Sequence, residues 1–215
     1  MTTAAERIRD AERSRRAILA AAERLFADHG YAGTTIERIA EEAGLSRGAP
    51  NYFFGSKEKL YREVIDATFV AREDATGAAF ESVRSWAVGS GGLDELRLAL
   101  GAAARDYMTF LAKRPSFVKL VMREELAGGG AVQRRRGRST AMEDAFGAVR
   151  ADGVARGLRP FAVADAVLLF IALTFAPLSY SSTWMRAAGR DVRKAAGRER
   201  QAELAVEQLM HLLAG

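Results

Sequence analysis

Residues 34–59 read TTIERIAEEAGLSRGAPNYFFGSKEK, and their pattern sets the class of the whole chain. Thr34 and Glu37 have the N-cap to N3 spacing of a capping box, in which each side chain bonds the other residue's backbone N–H. Ile36, Ile39 and Ala40 supply one apolar stripe. Gly44 ends it, because glycine takes the left-handed conformation at a helix C-terminus without steric cost. Ser46 is then placed to cap a second helix that runs Arg47, Gly48, Ala49, Pro50, Asn51, Tyr52, Phe53. Pro50 falls in its first turn, where a missing N–H costs least. Two short helices joined by a glycine-containing turn, the second polar on one side, follow the helix-turn-helix plan, whose second helix enters the DNA major groove.

The residue types on that second helix suit the task. Asparagine pairs with the N6/N7 edge of adenine, a tyrosine hydroxyl reaches a phosphate, and Arg47 is suited to either contact. Gly48 has no side chain, so a second backbone can approach closely there. Phe53 and Phe54 are expected to turn inward, since two adjacent phenylalanines left in water are unfavourable. Ser56 caps the next helix, and Lys57 adds a full charge to the free N–H groups and partial positive charge of its first turn, a phosphate site. Ahead of all this, Ile18, Ala22, Leu25, Phe26 and His29 recur at three- and four-residue steps and stop at Gly30, marking a first helix over about residues 7–29. Its leading Arg7, Arg9, Arg13, Arg15 and Arg16 either contact phosphates or share a solvated face with Glu6, Asp10 and Glu12.

Taken in order, Ala27–Asp28–His29–Gly30–Tyr31, Thr34–Thr35–Ile36–Glu37–Arg38–Ile39–Ala40, Ala43–Gly44–Leu45–Ser46–Arg47–Gly48, then Tyr52, Phe54 and Ser56–Lys57–Glu58–Lys59–Leu60 form a specific set. Over roughly residues 12–65 the chain resembles the tetracycline-repressor (TetR) family of transcriptional regulators. The resemblance implies an all-α protein of about nine helices, with a three-helix DNA-binding domain over residues 1–60 and a helical ligand-sensing and dimerisation domain over 61–215. It implies a repressor that binds a palindromic operator as a homodimer and is released by a small-molecule effector. The candidate DNA contacts are Thr34, Thr35, Arg47, Gly48, Asn51, Tyr52 and Lys57. Where many relatives carry Leu-Tyr, this chain has Pro50–Asn51, so the tyrosine contact frequent at that place is lost or replaced by Asn51.

Beyond Leu60 the helical pattern continues through Tyr61, Val64, Ile65, Thr68, Ala71, Ala75, Ala79 and Val83, as far as the glycines near residue 89. It reads as one long helix joining head to body rigidly. Further helices are expected from about residues 93, 115, 133, 163 and 196, with Pro115 in a first turn and Gly128–Gly129–Gly130 as a break. Arg134, Arg135, Arg136 and Arg138 read as a solvated or ion-paired face. Arg186, Arg190, Arg193, Lys194, Arg198 and Arg200 outnumber Asp191 and Glu199 and read as a solvated loop. The last two long helices have apolar faces that need cover. The resemblance implies that they pair with their copies in a four-helix bundle, setting two reading helices about one DNA turn apart. It also implies a pocket among the body helices. Trp86, Tyr107, Phe110, Phe117, Met122, Phe146, Phe170 and Phe175 are the candidate lining, which suits an apolar or aromatic effector. Glu124 and Glu125 are expected on an exposed helix face.

Composition removes the competing classes. Of 215 residues 49% are hydrophobic and only four are proline, ample for a core. The net charge of +5 suits an anionic partner, yet residues 1–60 hold ten Lys and Arg against nine Asp and Glu, so placement of the cations must carry the argument. The absence of cysteine excludes thiolate catalysis, zinc ribbons and disulfides, and fits a reducing cytoplasm. Only His29 and His211 are present, with no HExxH, no phosphate loop ending in Gly-Lys-Ser/Thr and no nucleophile elbow. No enzyme, metal or cofactor is therefore expected. The charged N-terminus is not expected to act as a signal peptide, and the apolar run 166–178 falls short of the roughly 20 residues a membrane-spanning helix needs. The remaining rival is a helical small-molecule-binding protein with a degenerate DNA-binding head.

Overall fold

The computed structural model describes residues 4–130 and 140–214, and over them the chain is all-α. Its helices are α1 (Ala4–His29), α2 (Ile36–Glu42), α3 (Ala49–Phe54), α4 (Lys57–Ala79), α5 (Glu81–Val88) and α6 (Leu93–Lys113). There follow α7 (Pro115–Leu126), α8 (Ala141–Gly153) with a 3-10 turn at Val154–Arg156, α9 (Val163–Ser179), α10 (Trp184–Ala187) and α11 (Ala195–Leu213). The arginine run at 134–138 lies outside the described residues. The chain divides into two compact units, Met1–Val70 with Lys119–Arg136, and Ala71–Val118 with Gly137–Gly215. The unit holding the head thus extends past residue 60 and takes in most of α7, whose residues are distant in sequence.

In the first unit α1 is the organising helix. Ile18, Ala21, Ala22, Leu25 and Phe26 are buried at helical spacing and meet Ile39 of α2, Phe54 of α3, Leu60, Val64 and Ile65 of α4, and Leu120 of α7. Gly30 and Gly44 stop α1 and α2 with φ of 73° and 67°, a region open to glycine at little cost. The start of α2 differs from the capping box read in the sequence. Thr35 is the N-cap, its side chain accepting from the Arg38 N–H at 3.2 Å. Thr34 is fully buried, and its hydroxyl donates to the carbonyls of Leu25 at 3.1 Å and Gly30 at 2.9 Å. Tertiary packing has taken the first threonine to tie the end of α1, leaving the cap to the second.

α7 is stitched to the end of α1 by polar contacts. Arg123 donates to the Ala27 carbonyl at 2.7 Å and the Asp28 carbonyl at 2.5 Å, satisfying acceptors that a helix C-terminus leaves open. Lys119 pairs with Asp28 at 2.5 Å and holds its carboxyl below the usual range. Glu124, expected on an exposed face, is 5% exposed and accepts from the Tyr61 hydroxyl at 2.5 Å. Burial, and then that carboxylate, push the Tyr61 hydroxyl well above its ordinary titration range. Tyr61 also stands edge-on to Phe26 and Tyr31, with ring centres 4.9 and 5.1 Å away.

In the second unit α6 packs on α11, α5 and α9, and α8 packs on α5 and α9. The long helix read through residue 88 breaks instead at Phe80. Its fully buried ring lies 4.9 Å from Phe170 and 5.7 Å from Phe146, and Arg84 donates to the Gly77 carbonyl at 2.6 Å. Gln201 of α11, 4% exposed, donates to the Leu173 carbonyl of α9 at 2.9 Å. No helix among the described residues is long and apolar enough to cross a membrane. Tyr61→Phe removes one donor from a buried carboxylate, so it is expected to lower stability by about 1–3 kcal/mol in urea denaturation.

Candidate functional site

The helix-turn-helix segment presents one polar edge. α3 starts two residues later than its sequence pattern, at Ala49, with Gly48 in the cap position and no side-chain cap. Ser46 serves through its carbonyl, which accepts from the Ala49 N–H at 2.9 Å. The reason lies in Pro50, which occupies the first turn and is buried. Pro50 and Phe54 anchor one side, Phe53 is half-buried, and Asn51 and Tyr52 face outward, Tyr52 being 84% exposed. Its ring packs edge-on to Phe53 at 5.1 Å, which steadies it without covering it.

Gly48 is exposed, with φ of −79°, and a Cβ built there meets nothing within 4 Å. The fold itself does not require glycine at this place, so the open surface is available to something outside the chain. At the start of α4, Ser56 accepts from the Lys59 N–H at 3.2 Å and Lys57 lies in the first turn. The Lys57 ammonium sits 4.4 Å from the centre of the Tyr31 ring, a cation–π contact that orients it.

Ion pairing resolves the near-neutral charge of this segment. Arg24 pairs with Glu42 at 3.0 Å, Arg13 with Asp10 at 3.1 Å, and Arg62 with Glu58 and Arg15 with Glu63 at contact distance. Arg15 also lies over the Phe54 ring at 4.9 Å, so it braces α3 from behind. Among the described residues Arg47, Lys57 and Lys59 take part in no ion pair. Unpaired cations thus stand at the starts of α3 and α4, along with Arg7 of α1 and Arg38 of α2, which contacts the His29 ring at 3.0 Å. Glu37 is held below the usual carboxylate range by its own backbone N–H and then by Thr35. Of the seven candidate contacts, Thr35, Arg47, Gly48, Asn51 and Tyr52 are exposed and Lys57 is half-exposed. Thr34 is the exception: with no exposed surface and its hydroxyl engaged, it acts by positioning α1 against α2.

In the second unit the aromatic candidates gather unequally. Tyr107 lies 5.7 Å from Phe170 and 6.3 Å from Phe110, Phe110 lies 5.8 Å from Phe117, and Phe117 6.3 Å from Phe175. Phe146 joins through Phe170 at 6.4 Å. Six of the eight residues form one chain of rings, and Phe80, which the sequence pattern did not single out, belongs to it. Arg72 enters the same region: its guanidinium interacts with the buried Tyr107 hydroxyl and pairs with Glu73 at 2.8 Å. Burial is the larger influence on Tyr107 and raises its hydroxyl above the ordinary range. Trp86 is used elsewhere, donating to the Gly92 carbonyl at 2.7 Å beneath the Arg156 guanidinium at 4.6 Å. Met122 belongs to the other unit.

Comparison with known proteins agrees with this layout. Residues 18–64 match the family described as "Bacterial regulatory proteins, tetR family", and residues 97–209, over half of the chain, match "Tetracyclin repressor-like, C-terminal domain". The chain is 48% identical over 66 residues to the HTH-type transcriptional repressor AcnR of Corynebacterium efficiens, covering 31% of this chain and 32% of that protein. It is 41% identical over 68 residues to the HTH-type transcriptional regulator RutR of Escherichia coli K12, covering 30% and 32%. These matches span about a third of each relative's length. A TetR-family protein of known crystal structure from Mesorhizobium loti shares the fold, with a TM-score of 0.68 at 22% identity over 95% of this chain and 98% of that one. Two matched segments, one for each part of the sequence pattern, establish that this chain belongs to the tetR family of bacterial regulatory proteins.

Proposed function

We propose that the protein is a cytoplasmic transcriptional repressor that binds a palindromic operator as a homodimer and leaves it when a small apolar or aromatic effector binds the body. The exposed edge of α3 carries this reading: Asn51 and Tyr52 project from a helix whose other side is anchored, with Arg47 just ahead of it and Lys57 at the start of α4 outside any ion pair among the described residues. Asn51 supplies a donor and an acceptor for adenine, replacing the tyrosine frequent at that place in the family. Arg47, Tyr52 and Lys57 supply phosphate contacts that set register without reading sequence. Thr35 is offered to phosphate at the exposed start of α2.

Two further features support the dimer and the response. On α9, Ala164, Leu168 and Ala172 share an exposed face at helical spacing, with Leu168 64% exposed, and α11 offers Leu204, Gln208 and Leu212. Apolar helix faces of this kind are covered by a second copy in a twofold interface. For the response, α7 carries Phe117 of the ring chain in its first turn and Arg123 and Glu124 of the α1 contacts in its last. An effector bound among the rings releases DNA only through its differential affinity for the two states.

Fluorescence anisotropy with the DNA flanking the gene tests the first claim. Gly48→Ala is expected to retain or raise stability by up to about 1 kcal/mol, because φ is negative and the space open, yet to weaken operator binding at least tenfold. Asn51→Ala should relax preference at one base pair by about 1–3 kcal/mol, whereas Lys57→Ala should weaken all sequences alike and shallow the salt dependence. Wild-type protein that binds no sequence above background would reject the reading. Leu168→Glu should convert a dimer to a monomer in sedimentation at unchanged helicity. A cognate effector should lower operator affinity roughly 5- to 150-fold, the range of a coupling of about 1–3 kcal/mol.

A further inference from the structure

The cationic stretch between α9 and α11, which the sequence presents as a solvated loop, is folded about a buried centre. Val192 is 1% exposed. Around it the backbone closes on itself: the Thr183 and Met185 N–H groups donate to the Tyr180 carbonyl at 3.1 and 3.2 Å, and the Arg190 N–H to the Met185 carbonyl at 2.8 Å. Gly189 makes the reversal with φ of 68°. Arg193 folds back on the start of the loop, its Nη2 donating to the hydroxyls of Ser182 at 2.7 Å and Ser181 at 3.1 Å, and its Nε to Ser181 at 3.2 Å. These contacts shape a cleft of about 290 Å³ lined by Ser181, Arg186, Gly189, Arg190, Asp191 and Arg193.

Three guanidinium groups around one cleft repel one another, and a merely solvated loop would spread them apart. The single carboxylate, Asp191, is already engaged by the Arg193 N–H at 3.1 Å and approached by Lys194 at 3.8 Å. Arg186 and Arg190, by contrast, have no side-chain hydrogen bond or ion pair among the described residues, and both are exposed. Arg193 is held in a fixed orientation by the two serines. A guanidinium presents five N–H donors in a rigid fork that matches tetrahedral oxyanions two oxygens at a time. The cleft is concave and small, which suits a compact anion over an extended polymer. We propose that this loop binds a phosphoryl group, free phosphate or a phosphate monoester, between Arg186, Arg190 and Arg193, at a site separate from the ring chain of the body.

The test uses the full-length protein in isothermal titration calorimetry at constant ionic strength, with inorganic phosphate, phenyl phosphate and a single-stranded oligothymidylate as probes. Saturable binding of either phosphate compound is expected, weakened at least tenfold by the double substitution Arg186→Ala/Arg190→Ala and unchanged by Arg150→Ala, an exposed arginine of α8. Tighter binding of phenyl phosphate would assign a monoester as the ligand, and equal binding free phosphate. Both substituted arginines are exposed and make no side-chain hydrogen bond or ion pair among the described residues, so unchanged melting of the double variant is expected and checks that any loss is local. Non-saturating heats, equal loss in Arg150→Ala, an unaffected double variant, or binding of the oligothymidylate alone would each overturn the proposal.

Discussion

A six-residue helix cannot hold itself together in water, because the cost of its first turn is recovered only over many more residues. α3 exists because Pro50 and Phe54 are buried as it packs on α1 and α2, Phe54 within a core built on Ile18, Phe26, Ile39 and Leu60. That burial does two jobs at once. It stabilises the helix, each fully buried large apolar side chain contributing about 1.5–3 kcal/mol, and it fixes rotation about the helix axis. With Pro50 and Phe54 inward, Asn51 and Tyr52 have nowhere to point but outward. The reading edge is thus a consequence of the core on its other side, and Arg15 over the Phe54 ring reinforces it.

Charge is arranged on the same logic. Exposed ion pairs contribute little to stability, typically about 0–1 kcal/mol, and those between Arg24 and Glu42 or Arg62 and Glu58 hold nothing essential. Their effect is on the field. By pairing acids with bases elsewhere in the head, they leave Arg47 and Lys57 outside any ion pair, with Glu37 the carboxylate that feels Arg47.

The two units have different internal character. The first is held at the end of α1 by polar contacts from α7, where Arg123 caps carbonyls and Glu124 is bonded by Tyr61. The second is held by rings and by Gln201, with Phe80, Phe146, Phe170 and Tyr107 filling its centre. Hydrogen bonds and a buried carboxylate demand defined geometry, and the rings, with neighbouring centres 4.9 to 6.4 Å apart, lie within the range over which aromatic pairs interact.

Periodicity, glycine stops, the Ser56 cap and the proline in a first turn were legible in order, because each depends on neighbours within about four residues. They are sufficient for an all-α chain with a helix-turn-helix near its start and for the inward turn of Phe54. Long-range packing decided the rest. Which of two adjacent threonines caps α2 depended on carbonyls at Leu25 and Gly30, and the buried state of Glu124 depended on Tyr61, 63 residues earlier. The break at Phe80 depended on rings at Phe146 and Phe170. The sequence alone determined that the chain is helical and that glycine stops α1 and α2, since capping and backbone preference are local. Only the tertiary structure decided which polar groups are spent inside and which remain free to act, since burial is set by partners distant along the chain.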